Sequence, residues 1–135
     1  MNATLAGLAA ALLYTIATII LGRHLARHEK PRSHVIQALG AMALPLHLIA
    51  VHAAIYQPAG LNLGLFHIIS LVGWLIAALA IGMSLYMPII SITIVAFPLA
   101  VLGLLLSSLV PTAYPLTTTL TSGAESHILL SILAY

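Results

Sequence analysis

Seven histidines stand in a chain of 135 residues of which only 4% are charged. Neutral imidazole is the ligand that haem iron, copper and zinc accept, so their placement is the first chemical question. His24, His28 and His34 lie within or beside a basic stretch and read as solvated interfacial groups. His47, His52, His67 and His127 fall inside long apolar runs or at their ends. Ionisable groups at membrane depth are costly and usually face a bundle interior or a cavity. Each of these four is therefore either a packing group hydrogen-bonded to another helix or a ligand. His67, Ser70 and Trp74 recur at helical spacing on one face, a stripe that points inward or toward a bound ring. Glu125 is the only carboxylate near them, which removes hard-metal chemistry.

Other chemistries are excluded by residue type. The chain has no cysteine, so disulfides, thiolate metal sites and transfer of reductant through a CxxC pair are ruled out. It contains no GxSxG, P-loop or HExxH motif and no paired carboxylates. Catalysis by this chain alone is not expected.

The elements that position the histidines follow from composition. Hydrophobic residues make up 62% of the chain and the mean hydropathy is +1.18. A soluble domain carries about 25% charged residues, so this surface must face lipid. The expected fold is an all-α polytopic transmembrane bundle, one domain over 1–135, with four complete spans and the start of a fifth.

The first span covers 3–22. Its basic cluster, RHLARHEKPR, follows the apolar run instead of preceding it, unlike a signal peptide. All four basic residues (Arg23, Arg27, Lys30 and Arg32) sit in that segment, which places it in the cytoplasm and the N-terminus outside. The same clustering argues against a nucleic-acid partner, which needs a broader basic face. Span two covers 35–56 with Pro45 inside it, and QPAGLNLG (57–64) forms an outer turn. Span three covers 65–86. Span four begins with Pro88 in its first turn and runs to 110, with Pro98 as a second internal proline. A Thr-, Ser- and Pro-rich outer loop then occupies 111–126. HILLSILAY opens a fifth span of nine residues, about 13 Å of helix against a hydrocarbon core of roughly 30 Å. The chain thus reads as the N-terminal part of a longer protein.

On this topology His52 lies about 26 Å above the inner edge of span two, while His67 opens span three and His127 opens span five. Three helices therefore bring these histidines to the level of the outer leaflet. His47 is deeper and projects about 140° away from His52 around the helix.

LNLGLFHIISLVGWLI (61–76) and SHILLSILAY (126–135) resemble the cytochrome c assembly family of haem-handling membrane proteins (CcsA/ResC type), most closely its YpjD/HemX-like branch. The resemblance runs in order along nearly the whole chain and covers about the first half of a family member. It implies that His127, followed by Leu130, Ser131, Ala134 and Tyr135, is an outer-side haem ligand. It implies the same, less directly, for His52. Where His67 stands, the CcsA type carries an acid, so His67 ranks third; Trp74, which shares its helix face, is a candidate ring contact by spacing and not by the resemblance. The Trp-rich outer segment of the haem lyases and the second-half histidine are absent. A haem site built from this chain takes His52 or His67 as second ligand, or borrows one from a second chain.

The expectation is therefore a bacterial inner-membrane protein of the cytochrome c assembly type that binds or presents haem at the outer leaflet. Its iron would be held through His127 and His52, with other cytochrome c maturation proteins or a second membrane chain as partners. Two alternatives stand beside it. One is a non-catalytic membrane subunit or transporter half whose histidines serve packing or ion passage; Pro45 and Pro98 fit it, because broken helices are common in transporters. The other is a fragment without function.

Overall fold

The computed structural model describes residues 2–31, 33–58, 60–110 and 122–134. Five helices carry the chain: α1 (Ala3–Ala26), α2 (Ser33–Ile55), α3 (Leu65–Tyr86), α4 (Thr93–Leu109) and α5 (Ser122–Ala134). A 3-10 turn (Ile90–Ile92) leads into α4. The first four helices, α4 taken with its 3-10 turn, are long and apolar enough to cross a membrane. The chain is an all-α membrane protein.

Short connections set the antiparallel order. Helices α1 and α2 pack side by side, α2 on α3, α3 on α4, and α4 back on α1, so the four close into a ring. One end of the ring carries Arg23, Arg27 and Lys30 and is called the basic end. The opposite end carries the last turn of α2 and the first turn of α3.

Between α2 and α3 the chain forms a two-residue antiparallel pair, β1 (Tyr56–Gln57) against β2 (Gly60–Leu61). Gly60 holds φ at 116°, a conformation open to glycine and strained for a side chain. The Asn62 amide donates to the Ile55 carbonyl, and Asn62 Oδ1 accepts from the Gly64 amide. The expected outer turn is thus a hydrogen-bonded reversal.

Packing in the ring is by close backbone approach. A Cβ on Gly73 would lie 3.2 Å from the Ala100 Cα, and one on Gly103 would lie 3.0 Å from the Ser70 Cα. These two glycines let α3 and α4 meet almost backbone to backbone, the small-residue contact by which membrane helices associate without a hydrophobic drive. At the centre, Tyr14 and Phe97 are fully buried with ring centroids 4.9 Å apart. Leu21, Ile36 and Ile81 fill the space below them toward the basic end. Large apolar side chains such as Leu5, Leu12, Met42, Leu79, Val95 and Leu102 stay exposed around the ring, the surface that lipid covers.

Three expected boundaries shift. Helix α1 runs on to Ala26 because arginine and histidine continue a helix readily, and positive charge is favourable at its C-terminus. Pro88 lies before the 3-10 turn, outside α4, where its fixed φ serves the short connection. The stretch read as an outer loop to 126 is already helical from Ser122, with Glu125 in the first turn of α5. His127 therefore lies in the second turn of α5 instead of opening it. The rest of that expected loop, 111–121, lies outside the described residues, as does Tyr135.

Candidate functional site

The end opposite the basic cluster gathers a set of uncharged polar side chains. The start of α1, the last turn of α2, the first turns of α3 and the last turn of α4 enclose a cavity of about 240 Å³. Thr4, Gln57, His67, Ser70, Ser107 and Ser108 line it, over a floor of alanines from α2. Thr4 and Gln57 are exposed and form its mouth; Ser70 and His67 are buried at its base.

Helix rotation decides which histidines enter this site. His67 points inward and is hydrogen-bonded through Nδ1 to Ser107 Oγ on α4, at 2.7 Å. His47 is fully buried one layer deeper, with Nε2 3.2 Å from Ser70 Oγ. Its ring meets Tyr14 edge-on at a centroid distance of 5.9 Å. Among the described residues, His47 Nδ1 and the Tyr14 hydroxyl are buried with no hydrogen-bond partner. Buried polar atoms are normally paired, so two orphans at one contact mark an unusual place.

His52 lies in the last turn of α2 but faces outward, its ring stacked on Tyr56 at 4.7 Å. His127 is exposed on α5. Leu129, two residues on, packs with Trp74 against the cluster of Val51, Ile55, Leu61 and Leu71, which seats α5 on the α2–α3 end of the ring. Trp74 is half-buried, and its indole N–H donates to the Leu44 carbonyl at 2.9 Å, just before Pro45. Its polar edge is thereby committed to tying α3 to α2.

The structure thus sorts the histidines into an inner pair, His47 and His67, each engaged by a serine, and an outer pair, His52 and His127, whose rings are exposed. Among the described residues, no three histidine or acidic side chains come together as a metal site. Their common level does not make His52, His67 and His127 one cluster, because His67 faces inward and the other two face outward. Sequence reading passed over Tyr14 and the His47–Ser70 contact, since nothing local in an apolar helix marks which tyrosine or serine lies opposite a histidine. The only available signal was the rarity of polar groups at that depth.

At the basic end, a second cleft of about 590 Å³ lies between the α1–α2 and α3–α4 connections and is lined by Lys30, His34, Gln37, Ser84 and Tyr86. Gln37 closes its inner wall by donating to the Ser84 carbonyl at 2.8 Å. No family model matches this chain, and no curated protein or solved structure matches it.

Proposed function

We propose that this chain is a bacterial inner-membrane protein of the cytochrome c assembly type, with its N-terminus outside, that binds haem at the outer leaflet through His127 and His52. The observation that carries the reading is the exposure of these two imidazoles at the end of the bundle opposite the basic cluster, together with the sequence resemblance around His127. The donor chemistry suits haem iron, which takes neutral imidazole as an axial ligand. When bound, haem supplies an iron centre able to carry one electron or to be passed on to a partner.

The chain's own residues divide the work. Leu129, packed on Val51, Ile55, Leu61 and Leu71, holds α5 against the bundle and so sets where His127 stands. Tyr56 stacks on His52 and presents an aromatic face beside it. A macrocycle belongs on this outer surface, because the interior cavity of about 240 Å³ is smaller than the roughly 300–1,000 Å³ pockets that enclose drug-sized ligands. His67 and Trp74, committed to Ser107 and the Leu44 carbonyl, serve in this reading as supports for the site, not as ligands.

The test is spectral. Purified in detergent and titrated with haem, the chain should give a low-spin bis-imidazole absorbance that His127→Ala abolishes and His52→Ala weakens or converts to high spin. His67→Ala should leave it in place. Unchanged spectra in His127→Ala would remove the ligand assignment.

A second reading, a non-catalytic membrane subunit, is favoured by the serine-engaged inner histidines, which resemble packing groups. It predicts that association with a membrane partner survives alanine substitution of His52 and His127 together.

A further inference from the structure

We propose that the cavity opposite the basic end is a blind, water-filled well, which gives the buried His47–Tyr14 pair exchange of water and protons with one side of the membrane only. The inference does not depend on haem.

Its lining is the first argument. Among the described residues, hydroxyls, one amide and one imidazole face the space beside alanines and Leu104, with no carboxylate and no cationic side chain. Such a set satisfies water well and charge poorly, because a hydrated ion at that depth needs a counter-charge. The volume of about 240 Å³ holds about eight waters at roughly 30 Å³ each. Exposed Thr4 and Gln57 make the mouth polar.

The second argument comes from the base of the well. Ser70 belongs both to the cavity lining and to the hydrogen bond with His47. It therefore links the open space to an imidazole that has no exposed surface. Beyond it, His47 Nδ1 and the Tyr14 hydroxyl are two fully buried polar atoms without a partner among the described residues. Leaving both dry would cost roughly 1–3 kcal/mol each, a cost that water reaching either atom from the well reduces. An imidazole and a phenol that water reaches can pass a proton to it, because each group can both give and accept.

The third argument is closure on the far side. Phe97, Leu21, Ile36 and Ile81 form an apolar plug between Tyr14 and the basic end. The buried hydroxyls on that side, Thr93 and Ser84, each donate to a carbonyl three residues back, of Ile90 and Ile81, and so are already committed within their own segments. Water that enters from the mouth therefore stops at Tyr14.

The chain's lack of cysteine makes the test direct. Single variants Ser107→Cys, Ser70→Cys and Ala43→Cys are reconstituted in vesicles and exposed to a small, charged, membrane-impermeant thiosulfonate on either side. Sidedness is set by an impermeant amine reagent that reaches Lys30. Ser107→Cys and Ser70→Cys should react from the side opposite Lys30, at least about tenfold faster than Ala43→Cys, since thiols packed in apolar surroundings are inert. In the unsubstituted chain, water-edited solid-state NMR should transfer polarisation from water to the His47 ring. Ser70→Cys reacting no faster than Ala43→Cys, or reacting from the Lys30 side, overturns the well. Absence of water transfer to His47 overturns it without recourse to any variant.

Discussion

At the residue scale, a histidine in this protein is defined by what its two ring nitrogens touch. His47 and His67 each give one nitrogen to a serine on a neighbouring helix, whereas His52 gives its ring face to Tyr56. Ser70 is the shared element, bonded to His47 and exposed to the cavity. Stranding a buried donor or acceptor costs roughly 1–3 kcal/mol. In Ser70→Ala, water from the cavity can take the place of the hydroxyl, so the loss should stay near the lower end, about 1 kcal/mol. Denaturant unfolding in detergent measures it; a loss well above that range would mean that the cavity is dry.

Elements meet here through glycine, and two glycines on the same pair of helices predict opposite outcomes. Gly103 on α4 faces the backbone of Ser70, where a Cβ would sit 3.0 Å from Cα and 3.2 Å from the Ile69 carbonyl oxygen. Backbone cannot swing aside as a side chain can. Gly103→Ala gains at most about 1 kcal/mol of helix propensity but meets overpacking of about 1–3 kcal/mol, so it should destabilise. A Cβ on Gly82 of α3 would have nothing within 4 Å. Gly82→Ala should therefore be neutral or stabilise by up to about 1 kcal/mol. Thermal unfolding of the two variants in one detergent compares the signs. On α3 itself, Gly73 packs against the backbone of α4 while Gly82 meets nothing.

For the whole molecule, the basic cluster and the short connections set the arrangement. If all four long helices cross, Lys30 and Gln57 lie on opposite faces of the membrane, because α2 alone joins them. An impermeant amine reagent should label Lys30 from one side, and an impermeant thiol reagent should label Gln57→Cys from the other. Labelling of both from the same side would show that α2 does not span. The proposed orientation, with the N-terminus outside, predicts that Lys30 is labelled from the cytoplasmic side, as positive charge is held inside.

Sequence alone determined the membrane class, the four long helices and their ends to within a few residues. Those properties are local: an apolar run is measured against bilayer thickness, and Pro58, Gly60 and the basic cluster interrupt it where they stand. The bounds of α3, Leu65–Tyr86, were legible in this way. Tertiary structure decided how each helix is rotated. In helices apolar on every side, no polar face marks the inside, so the sequence separates His47 from His52 around α2 without saying which turns inward. Only the approach of α3 and α1 puts Ser70 and Tyr14 against His47 and leaves His52 on the surface. The histidines were visible from composition; their division into a buried pair and an exposed pair required the packed ring.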